Sequence, residues 1–345
     1  MHSCKLRNLG GNTKIRTASR IFLVALLCAP AGGSADDPLR KDASQLFGRI
    51  EATATTRPTP EVELGRALFW DTRLSSDQKT SCGSCHAARD WGADSRRFSP
   101  DARGAPTSRH SPTVFNSMGQ GTLRWLGDRK NGAEQAESSM TGSMGFESKE
   151  AAVERLKELQ FLAAFRNAYP DDAEPLTPGN YARALAAYQA TLATPAAFDR
   201  FLAGDDSALN ERQKTGLRAF MSTGCAGCHN GPRFGGTAFQ RFGLVKEYWL
   251  ETGSEKIDHG RYAVTKKEED RYVFRVPMLR NVAKTAPYFH DGSVENLDRA
   301  VRIMGSVQLG RALDDATVTA IVAFLESLTG DIPPHYAPPG QRPDL

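Results

Sequence analysis

No stretch of this chain approaches the roughly 20 consecutive apolar residues that a membrane-spanning helix needs. The one apolar run, Ile21 to Ala29, is far too short. Acidic residues are missing from the first 35 positions, whose only charges are Lys5, Arg7, Lys14, Arg16 and Arg20. A basic start, a short apolar run and small residues ending at Gly33-Ser34-Ala35 make the pattern of a secretory signal peptide, with cleavage before Asp36. A buried core strand would explain the apolar run but not its basic flank. Removing those five basic residues takes the formal net charge from +4 to −1. That balance gives no electrostatic reason to expect nucleic acid or an acidic membrane as partner.

Cysteine is scarce as well. Of six, Cys4 and Cys28 fall in the leader, and the other four sit in Cys82-Gly83-Ser84-Cys85-His86 and Cys225-Ala226-Gly227-Cys228-His229. None is left for a disulfide, although export would permit one. A zinc site would need a second pair of ligands at finger spacing near either motif, and there is none. Two thiols spaced i, i+3 can reach the two vinyl groups of one porphyrin, with the adjacent histidine beneath the ring to bind iron. The sequence therefore predicts two covalent c-type haems, on Cys82, Cys85 and His86 and on Cys225, Cys228 and His229. A second strong ligand makes such an iron an electron carrier, whereas an open side lets it bind peroxide. Met118, Met140, Met144, Met221, Met278 and Met304 are all available, and spacing alone does not choose among them.

The pattern along the chain predicts a mainly α protein. An irregular lead-in through Thr53 to Pro60 gives way to a helix near Glu61 that runs toward the first motif. A second helix from Glu211 runs into the other motif, and the pairs Leu64-Gly65…Leu68-Phe69 and Gly216-Leu217…Phe220-Met221 suggest an internal duplication. Amphipathic helices over Asn180 to Leu192 and Asp314 to Leu328 close each half, the latter stopping at Gly330. A further helix is expected over Glu147 to Ala168, and loop over 98–145. Helix, CxxCH, variable loops and closing helix is the plan of a class I cytochrome c domain, here present twice. The expected division is a signal peptide at 1–35, one haem domain at 36–194, a second at 195–330, and an extended proline-rich tail at 331–345.

Ordered blocks elsewhere carry a family resemblance. They are Ser111-Pro112-Thr113-Val114-Phe115-Asn116, Trp125 with Gly127-Asp128-Arg129, Glu134-Gln135-Ala136, and Val276-Pro277-Met278-Leu279-Arg280-Asn281-Val282. Thr285-Ala286-Pro287-Tyr288-Phe289-His290-Asp291-Gly292 and Met304 with Gln308-Leu309-Gly310 complete them. From Pro60 to Gly330 the chain resembles the bacterial dihaem cytochrome c peroxidases and the wider superfamily that includes MauG. The resemblance implies that His86 ligates a low-potential haem where hydrogen peroxide reacts. It implies that His229 and Met304 ligate a high-potential haem fed by a small cytochrome c or cupredoxin. Trp125 would lie between the haems and Gln135 on the distal side of the peroxidatic one. Backbone carbonyls of Thr285 and Pro287 would bind a calcium ion between the domains. A periplasmic homodimer is the common form of such proteins.

The departures from that pattern are specific. The resemblance places a distal histidine at the position of Ala102, and Ala87 to Arg109 contains no histidine. The expectation is a peroxidatic iron open even when both haems are ferric. His110 replaces an asparagine that helps hold calcium, and imidazole is a poor ligand for that oxygen-seeking cation. The family's distal glutamate falls at Gly145, leaving Glu147 as the nearest carboxylate to move the proton that peroxide cleavage requires. Two rival readings follow: a MauG-like enzyme that oxidises residues of a partner protein, which Met304 in place of tyrosine disfavours, and a dihaem electron carrier, which the missing histidine disfavours.

Overall fold

Several helices begin where the sequence supplies a capping side chain. Thr59 and Thr177 accept from the amides of Val62 (3.3 Å) and Asn180 (3.1 Å), each followed by proline at the first helical position. Asn210 and Gln213 form a reciprocal box, and Asp314 accepts from the Thr317 amide at 2.7 Å. Such caps satisfy amides that have no partner inside the helix. In the computed structural model the described residues are 37–51 and 58–343, so the expected signal peptide, with Cys4 and Cys28, lies outside them.

The helices in chain order are α1 (Pro38–Leu46), α2 (Pro60–Trp70), α3 (Gly132–Ser139), α4 (Lys149–Glu158), α5 (Leu162–Ala168) and α6 (Pro178–Ala190). There follow α7 (Ala197–Leu202), α8 (Glu211–Thr223), α9 (Tyr248–Thr252), α10 (Tyr262–Thr265), α11 (Leu297–Leu309) and α12 (Asp315–Glu326). The only sheet among the described residues is the antiparallel pair β1 (Phe239–Arg241) and β2 (Val273–Arg275), with Gln240 opposite Phe274. The fold is mainly α. Asp36–Leu345 forms one compact unit.

Two helix pairs repeat one packing device. A Cβ on Gly65 of α2 would collide with the Ala184 carbonyl of α6, and one on Gly216 of α8 with the Ala320 carbonyl of α12. Only glycine allows the backbones this close. Around α2 and α6 lies a core of Leu64, Leu68, Phe115, Leu156, Phe165 and Leu185. Around α8 and α12 lies another, of Phe198, Leu217, Phe220, Phe234, Ile321 and Phe324.

The chain ends cross over. The Phe47 ring, just after α1, stacks on Phe234 at 4.3 Å, so residues near the start complete the second core. Tyr336 near the other end is fully buried against Phe115 (4.6 Å) and Trp70 (5.1 Å) in the first. Between the halves, Thr194 joins two asparagines. Asn116 Nδ2 and Asn281 Nδ2 both donate to its hydroxyl, at 2.7 and 2.9 Å, and its amide donates to Asn116 Oδ1 at 2.9 Å. Asn116 and Asn281 share left-handed backbone (φ 58° and 62°) and each stands four residues after a proline, Pro112 or Pro277.

Three expectations change. Residues 98–145 are not all loop, since α3 lies within them. The helix expected over Glu147 to Ala168 is two, interrupted at Gln160, whose φ is +61°. The lead-in contains α1, capped by Asp37 Oδ1 accepting from the Leu39 amide at 2.9 Å.

Candidate functional site

The two CxxCH segments adopt the same turn. The amide of His86 donates to the Cys82 carbonyl at 3.0 Å, and that of His229 to the Cys225 carbonyl at 3.0 Å. In each, the middle of the motif is a single 3₁₀ turn, Cys82–Ser84 or Cys225–Gly227. All four cysteines are unpaired. Each histidine is then fixed by a later carbonyl: His86 Nδ1 donates to Gly92 O at 2.8 Å, and His229 Nδ1 to Phe234 O at 3.1 Å. A proton held on Nδ1 leaves Nε2 as the lone-pair nitrogen, the tautomer a metal ligand needs. Burial pushes both imidazoles below the ordinary histidine value, toward the neutral form. Two sulfurs and one ring nitrogen beside a cavity form a donor set that fits a c-type haem at each turn.

A cavity of about 440 Å³ opens beside Cys82, Cys85 and His86. Its wall includes His110, Arg124, Trp125, Asp128, Gln135 and Arg275. His86 and His110 are its only histidines among the described residues. Gln135 Oε1 accepts from Arg124 Nε at 2.5 Å, which leaves the amide nitrogen as the free end. Arg124 in turn lies 3.6 Å from Asp128, which also binds Arg129 at 2.9 Å. Of two methionines in the wall, Met144 is packed into the first core, and the Met118 sulfur lies against Gly132 at the start of α3.

Glu147 does not join this group. It is exposed just before α4 and absent from the wall, whose carboxylates are Asp101 and Asp128. The chain leaves α3 through a turn and starts a new helix at Lys149, which carries Glu147 to the surface side. Ala102 too is buried without lining the cavity.

At the second turn, cavities of about 90 and 160 Å³ share Cys225, His229 and Met304. α11 carries Met304 to the same walls as His229 and so separates it from the other methionines, except Met278 in the larger cavity. Thr285 and Pro287 line that larger cavity with His110. His110 Nδ1 donates to the Arg96 carbonyl at 3.1 Å.

Trp125 lines all three cavities, and its indole N–H donates to the His110 carbonyl at 2.8 Å. Arg275, which belongs to no motif, lines all three as well. Tyr336, placed by the tail, donates to the backbone carbonyl of His86 at 2.5 Å.

The chain is similar to known proteins. The family described as di-haem cytochrome c peroxidase matches residues 59–207. The cytochrome c551 peroxidase of Pseudomonas aeruginosa is 44% identical over 308 residues, covering 86% of this chain and 88% of that one. That of Nitrosomonas europaea is 38% identical, covering 81% and 84%. Among solved structures, a MauG-like protein associated with microbial copper homeostasis superposes with a TM-score of 0.71 at 25% identity, covering 85% of this chain and 97% of that one.

Proposed function

Because the chain belongs to the dihaem cytochrome c peroxidases and their MauG relatives, we propose that it is a periplasmic enzyme reducing hydrogen peroxide to water with electrons from a small cytochrome c or cupredoxin. The observation that carries this reading is the inequality of the two turns. His229 shares its cavities with Met304, whereas the His86 cavity presents Gln135 and Arg124 and no second imidazole but His110.

When bound at His86, the haem supplies the iron at which the peroxide O–O bond is cleaved. The protein groups act around it. Arg124 holds the Gln135 carbonyl, so the Gln135 amide nitrogen faces as a donor toward a bound oxygen. Peroxide cleavage needs a proton carried from one oxygen to the other. Asp101 is turned to the Arg103 side chain and to the Arg103 and Ala105 amides, with no link to Gln135. Asp128, linked to Gln135 through Arg124, takes that role in place of Glu147. Trp125, between the cavities, lies where electrons entering at the His229/Met304 site cross to the peroxide site.

In this reading 36–194 and 195–330 are two class I cytochrome c-like domains, and the leader directs export. The carbonyls of Thr285 and Pro287 accept no hydrogen bond from the described residues and are the calcium ligands, with His110 contributing no oxygen. The working form is a homodimer.

The test is to add hydrogen peroxide to the diferric protein, with and without prior reduction, and record the haem spectra. Prompt reaction without reduction is expected. A diferric protein showing only low-spin bands, and reacting only after reduction, overturns the open site. A MauG-like reading, oxidation of a partner protein, is favoured by the likeness to the copper-associated MauG-like structure. It predicts slow turnover with small donors and crosslinked or oxidised residues on a partner encoded nearby.

A further inference from the structure

Arg275 ends β2 and is 4% exposed. Its Nε donates to the Arg124 carbonyl at 2.8 Å and its Nη1 to Gln120 Oε1, while its own amide binds the Trp125 carbonyl at 2.8 Å. Both side-chain partners are neutral. A guanidinium has five N–H donors, so three remain without a partner among the described residues. No carboxylate of the described residues pairs with it. Asp128, on the same cavity wall, is already taken by Arg129 and Arg124.

The contrast with Arg280 is instructive. That guanidinium is equally buried, but Asp199 meets it with two bonds of 2.6 and 2.9 Å. A buried charge without a counter-charge is costly enough that proteins pair it or neutralise it. Burial alone lowers Arg275 to about 10, so it still carries its charge near neutral pH. Arg275 also lines every one of the three cavities that flank the two CxxCH turns. The missing anion therefore has to come from what fills those cavities.

We propose that Arg275 is the counter-charge for a propionate carboxylate of the bound cofactors, held where the two haem cavities meet. The proposal rests on the dihaem reading above. A fixed cation beside a haem favours the reduced, more negative form, so Arg275 raises the potential of the haem whose propionate it binds. Its backbone link to Trp125 and side-chain link to Arg124 tie that charge to the crossing point between the sites.

Potentiometric titration of the purified holoprotein, followed by haem absorption, tests this in wild type, R275K and R275Q. Two titrating haems in wild type are the premise; their absence would defeat the dihaem reading itself. Given two, R275Q should lower at least one midpoint. The expected loss is about tenfold in the ferrous-to-ferric ratio at fixed applied potential, about 59 mV for one electron. R275K, which keeps the charge, should restore most of it. Movement of the His229/Met304 haem alone places the propionate there, movement of the other places it at His86, and movement of both means a shared contact. Unmoved midpoints in R275Q, or an equal fall in R275K, overturn the proposal. Should R275Q not fold, resonance Raman spectra of wild type and R275K decide. Exchanging a planar fork for a single ammonium must shift the propionate bending bands, and unchanged bands reject the assignment.

Discussion

Ala102 and Gly145 pack against each other, so closely that a Cβ on Gly145 would stand 3.1 Å from the Ala102 Cβ. The Ala102 amide fastens the contact by donating to the Ser143 carbonyl at 2.9 Å. These are the positions where the family resemblance puts a distal histidine and a distal glutamate. Here both residues are small, and the two loops that carry them are in contact.

Restoring the histidine alone should therefore fail to close the iron. Ala102 does not line the cavity although Pro100, Asp101 and Arg103 do, so an imidazole at 102 meets the Gly145 loop instead. Ala102→His is expected to lose about 1–3 kcal/mol by overpacking, read by urea unfolding, with the diferric absorption spectrum unchanged. A new low-spin spectrum in this variant would show that the loop can turn its side chain inward.

The glycines of the two helix pairs make a second prediction. Gly65→Ala and Gly216→Ala each drive a methyl group into a facing carbonyl and should cost about 3 kcal/mol. Gly179, exposed in the first turn of α6, has only Thr177 Oγ1 near a new methyl, at 3.9 Å. Gly179→Ala should instead stabilise by about 0.5–1 kcal/mol, as expected for an unhindered helical site. Equal effects from all three would mean that α2 and α6 can move apart freely.

Much of this was legible in sequence because it is local. A CxxCH turn and its histidine are contiguous, and helices α2, α6, α8 and α12 combine capping residues with an apolar face at helical spacing. α1 is not legible because its apolar side is little more than Leu39 and Ala43, and residues far along the chain, α7 among them, complete it. α3 begins on glycine and carries two serines, which read as loop. That Glu147 lies off the cavity wall is not legible either, because sequence distance from Gln135 says nothing of the turn between α3 and α4. Arg275 and Tyr336 belong to no motif; each acquires its meaning from partners more than 100 residues away.

Acid should weaken the fold partly through His290. Its ring stacks on Phe274 at 4.4 Å, and its Nε2 has no hydrogen-bond partner, the nearest carboxylate being Asp258 at 3.8 Å. Burial lowers its pKa more than Asp291 and Asp258 raise it, with Arg109 opposing them. A histidine with a lowered folded value is neutral in the fold. Its contribution is present above the ordinary value near 6.5 and is lost as pH falls below that. Urea unfolding at pH 7 and 5.5 should show a smaller acid loss in His290→Gln than in wild type. The difference should be no more than about 1.4 kcal/mol per pH unit, the limit for one proton. An identical slope in both proteins would mean His290 titrates as freely folded as unfolded.

Tyr336 gives the last and most direct link between remote sequence and the His86 turn. The tail that carries it crosses to the first core, where Arg66 Nε donates to the Ala337 carbonyl at 2.7 Å and Tyr188 Oη to the His335 carbonyl at 3.2 Å. Its own hydroxyl ends on His86 O at 2.5 Å. His86 is thus gripped twice, through its ring by Gly92 and through its backbone by Tyr336. Tyr336→Phe keeps the aromatic packing and removes only the hydroxyl, leaving a buried carbonyl unsatisfied at a cost of about 1–3 kcal/mol. Ending the chain after Gly330 removes both and should cost more. If the grip also orients the imidazole, the ferric absorption or EPR spectrum of the haem at His86 should change in Tyr336→Phe while that at His229 does not. Loss of stability with both spectra intact would confine Tyr336 to packing.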